Sequence, residues 1–135
     1  MLNKKIHQWD ILAVSCIDGR FVKKVIEWVA KRTDDVFDFR TEVGLTKAII
    51  DSAPDRKRFF EVINISKKLH NIKEIWLFDH IDCGAYGGSK SFDSDSEEER
   101  FHKQRLKKAK SILKKKFSNL KIKMFYIKWD EIEEV

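Results

Sequence analysis

The sequence predicts an α/β fold, a three-layer domain in which helices cover both faces of a mainly parallel four-stranded sheet. Four short apolar runs alternate with longer segments of helical periodicity along the 135 residues, which is the pattern that successive βαβ units produce. The length suffices for one hydrophobic core, and no internal repeat or linker divides the chain. We therefore expect a single domain over residues 1–135.

The first half of the chain is predicted to contain two strands and three helices. Residues 11–15 are almost wholly apolar, as is typical of a strand that is buried on both faces. From residue 21 to residue 32 apolar side chains recur every three or four positions, which predicts an amphipathic helix. We expect a second strand at residues 36–40, a short helix at 46–51 and a longer helix at about 54–70.

The second half is predicted to contain two strands and one long helix. The third strand is expected at residues 74–79, and a Gly- and Ser-rich loop follows at 84–96. Ser96 and Glu99 have the spacing of a capping box, so the long helix is expected to begin there. The fourth strand is expected at 121–129, with a frayed end or a short turn after it. The apolar stripe of the long helix comprises Leu106, Ala109, Leu113, Phe117 and Leu120.

The net charge of +6 is concentrated in the long helix. Eleven of the 28 basic residues lie between Arg100 and Lys123, after five acidic residues between Asp93 and Glu99. Acidic residues at the start of a helix and basic residues at its end complement the helix dipole. We interpret the lysines as a solvated helix face, and because no aromatic platform or nucleic-acid motif accompanies them, we do not expect nucleic acid as a partner.

The sequence also predicts a cytoplasmic protein without a membrane partner. No apolar run approaches the roughly 20 residues that span a bilayer, and no signal-type apolar stretch follows Lys4 and Lys5. Two cysteines are too few for a disulfide framework, and in a reducing compartment they are expected to be buried, catalytic or metal-bound.

Both cysteines directly follow predicted strands. Cys16 ends the first strand in Ser-Cys-Ile-Asp-Gly-Arg, and Cys83 follows the third in Asp-His-Ile-Asp-Cys-Gly. In an open α/β sheet, ligands bind at the carboxyl ends of parallel strands. His80 and Cys83 have a spacing that can chelate one ion, and Cys16 completes a Cys2His set. Such a set leaves one position of a zinc tetrahedron open, as is typical of catalytic zinc sites.

Two other interpretations of the cysteines are possible. Cysteine is among the most buried residue types, so either residue could simply pack in the core. Cys16 and Arg20 could also belong to a phosphate-binding cysteine loop, but only three residues separate them, Asp18 would repel an anion, and no glycine-rich cradle is present. The joint placement of the two cysteines and His80 favours zinc.

A shared zinc site also predicts the order of the strands. Neighbouring strands lie about 4.8 Å apart, and the ligands of one ion must approach more closely than a whole intervening strand allows. The first and third strands should therefore be neighbours. The order 2-1-3-4 with right-handed crossovers satisfies this requirement.

Asp18 and Arg20 are the next candidates for chemistry. A carboxylate two residues after the first ligand can accept a hydrogen bond from a group in the open zinc position, and Arg20 can hold it there through a charge-assisted pair. Asp18 could instead swing in as a fourth ligand and close the site, or form an ordinary surface ion pair with Arg20. Asp82, inside the turn between His80 and Cys83, is expected to cap backbone amides.

Residues 16–20 and 80–84 resemble the two signatures of the β-class carbonic anhydrases, Cys-x-Asp-x-Arg and His-x-x-Cys-Gly. The resemblance implies that Cys16, His80 and Cys83 bind zinc and that Asp18 and Arg20 form the catalytic dyad. The family hydrates carbon dioxide to bicarbonate, a small-molecule reaction, and works as homodimers or higher homo-oligomers. Related members hydrolyse carbon disulfide or carbonyl sulfide with the same zinc set.

One segment departs from the family pattern. After the second strand the family usually has Arg-Asn-Ala-Gly-Asn, whereas Arg40 is here followed by Thr-Glu-Val-Gly. The carboxylate of Glu42 could alter the pocket, relay protons or be turned away. Besides carbon dioxide hydration, two alternatives therefore stay open: hydrolysis of a carbon dioxide analogue, and a zinc-binding homologue without activity.

Overall fold

The computed structural model describes residues 7–135, and its helices and strands alternate as the apolar pattern predicts. In chain order the elements are β1 (Ile11–Cys16), α1 (Gly19–Ala30), β2 (Asp38–Glu42), α2 (Thr46–Asp51), α3 (Ala53–His70), β3 (Glu74–His80), α4 (Asp95–Lys116), β4 (Lys121–Ile127) and β5 (Ile132–Glu134). Two short 3₁₀ turns, Gly84–Tyr86 and Ser89–Ser91, lie between β3 and α4.

The strands form one sheet in the order β2-β1-β3-β4-β5. The first four are parallel, which confirms the predicted order 2-1-3-4, and β5 is antiparallel to β4. In the register of β1 and β3, Ser15 lies opposite Phe78. Cys16 and His80, which end these two strands, therefore reach the same edge of the sheet.

The helices lie on both faces of the sheet, as predicted, but they are unevenly divided. Side chains alternate along β1, so that Leu12 and Val14 pack with residues of α2, α3 and α4, whereas Ile11 and Ala13 pack with α1. All four side chains are buried. Burial on both faces explains why the strand has a continuous apolar sequence.

Several boundaries differ from the prediction. The helix α1 begins and ends two residues earlier than the predicted segment 21–32, and β4 ends at Ile127 and not at residue 129. The helix α4 ends at Lys116, so Phe117 and Leu120 of the predicted stripe lie beyond it and reach the core from the turn before β4.

The acidic end forms β5, because Glu133 pairs with Lys103 and Lys128 and the backbone pairs with β4. The helix α4 begins two residues earlier than expected, since Ser94 is the residue that accepts a hydrogen bond from the Glu97 amide. The strand β2 begins and ends two residues later than the predicted segment, after a turn.

No helix among residues 7–135 is both long enough and apolar enough to cross a membrane.

Candidate metal centre

Cys16, His80 and Cys83 come together at the carboxyl edge of the sheet. Cys16 is the last residue of β1 and His80 the last residue of its neighbour β3, while a turn returns Cys83 to the same place. The left-handed backbone of Asp82 (φ 58°) makes this turn. One ligating atom from each of the three side chains lies within 4.8 Å of the other two, and all three residues are buried.

The side chains of this cluster fit a zinc ion. His80 Nδ1 donates a hydrogen bond to the Ile81 carbonyl at 2.7 Å, which leaves the lone pair on Nε2. That Nε2 is buried and has no hydrogen-bond partner among the described residues. One imidazole nitrogen and two cysteine sulfurs are ligands that zinc prefers, and a carbonyl on the other ring nitrogen is a common support for a zinc-binding histidine. The cluster could therefore hold a metal.

The two thiols affect each other because they are close together. The hydrogen bond with Cys83 lowers the pKa of Cys16 well below its usual value, and the contact with His80 acts in the same direction. The pKa of Cys83 is raised by the same contact and by burial. The Gly44 amide also donates to Cys16 Sγ at 3.4 Å. One sulfur of the cluster is thus disposed to carry negative charge, which is the form that binds metal.

Gly44 is the residue that allows this amide to approach. Its φ is +67°, and a Cβ there would lie 2.7 Å from the Cβ of Ala85, two residues after Cys83. Any larger residue would meet both a strained backbone and a steric clash. The turn after β2 therefore packs directly against the turn after β3.

Asp18 and Arg20 form a two-point ion pair beside the cluster. Arg20 Nη2 and Nε donate to the Asp18 carboxylate at 2.7 and 3.1 Å, and the Arg20 backbone amide donates to it at 3.0 Å, which caps α1. These bonds lower the pKa of Asp18 to about 2. Asp18 Oδ2 lies 3.9 Å from His80 Nε2. An ionised hydrogen-bond acceptor therefore lies next to the cluster.

Glu42, the departure in the family pattern, pairs with Arg40. Arg40 Nε donates to Glu42 Oε1 at 2.6 Å. Glu42 lies opposite Cys16 in the register of β1 and β2, but its carboxylate does not belong to the cluster of ligating groups found among residues 7–135. The arginine balances its charge.

A buried polar group that the sequence did not predict lies behind the cluster. Asp79 Oδ2 accepts hydrogen bonds from Thr46 Oγ1 and from His102 Nδ1, both at 2.8 Å. All three residues are buried. Two signals pointed to them: Asp79 interrupts an apolar strand, and His102 lies one helical turn before Leu106 on the apolar stripe of α4.

Glu98 is a second buried polar residue that the sequence did not predict. It is fully buried one helical turn before His102. Its carboxylate accepts from the Asp82 amide and from Ser89 Oγ, both at 2.8 Å. Asp82 in turn accepts from the Ser89 amide at 2.7 Å, the amide-capping contact expected for it. Glu98 thus ties the turn that carries Cys83 to the start of α4.

Several apolar side chains lie near the cluster at the carboxyl edge of the sheet. Phe21 packs against the His80 ring, with 4.6 Å between ring centroids, and Trp129 packs against Phe21. Ile17 and Val43, which lie next to the ends of β1 and β2, are more than half exposed, as is Trp129. All three residues follow the carboxyl ends of parallel strands, and exposed apolar side chains at such an edge are typical of a binding surface.

The chain matches one family model and two curated relatives. Residues 7–135 match the family model described as "Putative carbonic anhydrase". An uncharacterised protein of Rickettsia conorii is 31% identical over 137 residues, which is 97% of this chain and 74% of the relative. An uncharacterised protein of Rickettsia bellii is 29% identical over 97% of this chain and 84% of the relative.

Solved structures share the fold. The β-carbonic anhydrase CafA of Aspergillus fumigatus matches with a TM-score of 0.66 and 14% identity over 96% of this chain and 76% of that chain. A structure from a study of two tetrameric β-carbonic anhydrases of Sordaria macrospora gives a TM-score of 0.68 and 15% identity, over 95% and 81% of the two chains. The chain therefore belongs to the family described as "Putative carbonic anhydrase", as a divergent member with the β-class fold.

Proposed function

We propose that this chain catalyses the zinc-dependent, reversible hydration of carbon dioxide to bicarbonate. One observation carries the proposal: the buried Cys16, His80 and Cys83 cluster adjoins a carboxylate, Asp18, that Arg20 keeps ionised. Three ligands leave one of zinc's four positions for water or substrate.

Cys16, His80 and Cys83 are the proposed zinc ligands. When bound, zinc supplies Lewis acidity and lowers the pKa of water at its open position. The chain contributes the orientation of the ligands. The Ile81 carbonyl fixes the tautomer of His80, and the Gly44 amide stabilises negative charge on Cys16.

Asp18 is the proposed hydrogen-bond acceptor for the group that reacts with carbon dioxide. Because its pKa is about 2, it is ionised at neutral pH and can only accept a hydrogen bond, not donate one. Arg20 and the cap of α1 fix its direction. A fixed acceptor on one side orients a donor so that its lone pair is directed elsewhere, towards the carbon atom of the substrate.

The apolar surroundings suit a small uncharged substrate. Phe21 shields one side of His80 from water, and carbon dioxide needs no polar partner to enter such a site. The exposed side chains of Ile17, Val43 and Trp129 also support a homo-oligomer in which a second subunit covers this side. The tetrameric Sordaria enzymes are examples of the fold in that form.

Metal analysis combined with a hydration assay tests the proposal. We expect one zinc per chain and hydration between about pH 7 and pH 9. Asp18→Asn should keep the zinc and lower kcat/KM about a hundredfold. Cys83→Ser should weaken zinc about a thousandfold, because an apparent binding free energy of about 10–16 kcal/mol is divided among three or four ligands. His70→Ala, a histidine at the opposite end of the sheet, is the control and should keep both properties.

Stoichiometric zinc without hydration at any of these pH values would contradict the proposed reaction. If the same protein hydrolysed carbon disulfide or carbonyl sulfide, the zinc site would stand and the substrate would change. Absence of zinc, with both thiols freely titratable in the native protein, would contradict the whole site.

A further inference from the structure

Two aspartates hold the Arg20 side chain, Asp18 on one side and Asp82 on the other. Arg20 Nη1 donates to Asp82 Oδ2 at 3.0 Å, and its Nη2 also donates to the Asp82 carbonyl oxygen at 3.0 Å. Asp82 lies between His80 and Cys83 and is 62 positions from Arg20 in the chain. The guanidinium group thus joins the loop after β1 to the turn that carries two of the three proposed ligands.

Asp82 is itself fixed by buried groups. Its Oδ1 accepts from the Ser89 amide, and its own amide donates to the fully buried Glu98, which also accepts from the Ser89 hydroxyl. The bonds from Ser89 and from Arg20 lower the pKa of Asp82. A Cβ at Gly88 would lie 2.9 Å from Asp82 Oδ1, so the absence of a side chain there allows the loop to close on the carboxylate. These contacts give Asp82 one position and one direction.

We propose that Asp82, held by Ser89 and Glu98, is a positioning residue that anchors Arg20 and so keeps the Asp18 carboxylate out of the open coordination position of the metal. The inference rests on the proposed function, because it takes Cys16, His80 and Cys83 as zinc ligands.

Asp18 is near enough to compete for the metal. Its Oδ2 is 3.9 Å from His80 Nε2, and an ionised carboxylate is an ordinary zinc ligand. What opposes its movement is the pair with Arg20, whose side chain is 48% exposed and has many rotamers. Without a second anchor, the arginine side chain would lose conformational entropy each time it paired with Asp18, and this loss would weaken the pair.

The bonds to Asp82 already restrict the Arg20 side chain, so that pairing with Asp18 costs less conformational entropy. Asp82 uses Nη1 and one hydrogen of Nη2, which leaves Nε and the other Nη2 hydrogen directed at Asp18. The two carboxylates therefore bind different donors of one planar group and do not exchange places on it. A preorganised donor pair holds its acceptor more tightly than a mobile one.

The test measures azide binding to the cobalt(II)-substituted protein from its visible absorption bands. Azide needs the open position, so its affinity falls if Asp18 occupies that position. Asp82→Asn keeps an oxygen for the Ser89 amide but removes the charge that pairs with Arg20. We expect it to weaken azide binding about three- to tenfold, as for the loss of a partly exposed charged hydrogen bond.

A second background makes the test specific. In Asp18→Asn protein no carboxylate competes for the metal, so adding Asp82→Asn should leave the affinity for azide unchanged. Glu27→Gln is the matched control, since it removes one exposed carboxylate from a pair with Lys23 on the same helix as Arg20, and it should have no effect in either background. Asp82→Ser, whose hydroxyl can still accept from Ser89, replaces the Asn variant if that protein does not fold.

Three outcomes would overturn the inference. An equal loss of affinity in both backgrounds would show that Asp82 acts on the structure of the turn and not through Asp18. Unchanged azide affinity of the Asp82→Asn variant in the wild-type background, where Asp18 is present, would show that Asp82 does not keep Asp18 away from the metal. Failure to bind cobalt would overturn the proposed function as well, whereas normal cobalt binding with unchanged azide affinity overturns this inference alone.

Discussion

Two histidine–aspartate pairs lie at opposite ends of the sheet, and they differ mainly in burial. The His102–Asp79 pair lies behind the Cys16, His80 and Cys83 cluster, with side chains 1% and 2% exposed. The His70–Asp38 pair lies near the start of β2, with side chains 17% and 20% exposed. Their hydrogen bonds are nearly equal in length, 2.8 and 2.7 Å. The same two residue types therefore form a core contact at one end and a surface contact at the other.

The two pairs also hold different kinds of structure. Asp79 bonds Thr46, two residues after Gly44, and directly precedes His80, so its network positions two segments that touch the cluster. His70 stacks on Trp9 at 3.9 Å and fastens the chain just before β1. Beside Trp9 the amino end of the sheet has an open groove of about 1440 Å³. Buried hydrogen bonds therefore connect the segments at the carboxyl end of the sheet, whereas an open groove lies at its amino end.

The largest expected difference between the two ends is in stability. His102→Ala should lower the free energy of unfolding by about 3 kcal/mol, because it leaves a cavity and deprives a buried carboxylate of a partner. His70→Ala should cost about 1 kcal/mol, since water can replace the lost bond. Urea unfolding of both variants, followed by circular dichroism, measures the two values. Equal losses would mean that burial does not separate the pairs.

A second pair of variants would sharpen the comparison within the carboxyl end. Gly44→Ala should cost about 2 kcal/mol, from a left-handed φ and the contact with Ala85. Gly84→Ala, next to Cys83, should change stability by less than about 0.5 kcal/mol, because a Cβ there meets no atom within 4 Å. Urea unfolding again gives the difference. A costly Gly84→Ala would show that the whole turn resists any added atom.

The sequence predicted the cluster better than the network behind it. Cys16 and His80 could be placed because apolar runs show where two buried strands end, and a shared ion then required those strands to be neighbours. Nothing comparable reveals the partner of a buried polar residue. His102 and Asp79 are 23 positions apart, and Glu98 and Asp82 are 16 apart, so each contact exists only in the folded chain.

The strand β5 illustrates a second limit. Its three residues carry two glutamates and too little apolar pattern to predict a strand. It forms because β4 offers an unpaired edge and because Lys103 and Lys128 lie where Glu133 can reach them. Other boundaries, at α1, at β2, at the start of α4 and at the end of β4, differ by two residues, since turn and cap geometry decide them and not periodicity.

The smallest expected effect is the pH dependence of stability that comes from the Asp18–Arg20 ion pair. Arg20 lowers the pKa of Asp18 from 3.8 to about 2 in the folded protein. The unfolded chain therefore takes up this proton first as the pH falls, so the stabilisation is present above about pH 4 and is lost towards pH 2. Wild type should lose about 1 kcal/mol more than Asp18→Asn over this range, with allowance for screening at the exposed Arg20.

Urea unfolding at pH 5 and at pH 2.5 tests this prediction in the two proteins. Glu27→Gln serves as the control for an exposed carboxylate with a looser pair. Parallel losses in wild type and Asp18→Asn would show that the ion pair with Arg20 adds nothing to stability.

The order of the strands has a consequence for how the chain folds. β1 is paired with β3 across α1, β2, α2 and α3, so the contact between the Cys16 and Cys83 loops closes a long stretch of chain. Contacts between distant positions form slowly, because the entropy of closing the loop opposes them until the pairing is complete. A nascent or partly folded chain has at most His80 and Cys83 close together. Tight binding at the proposed three-ligand site therefore requires a chain that has finished the crossover.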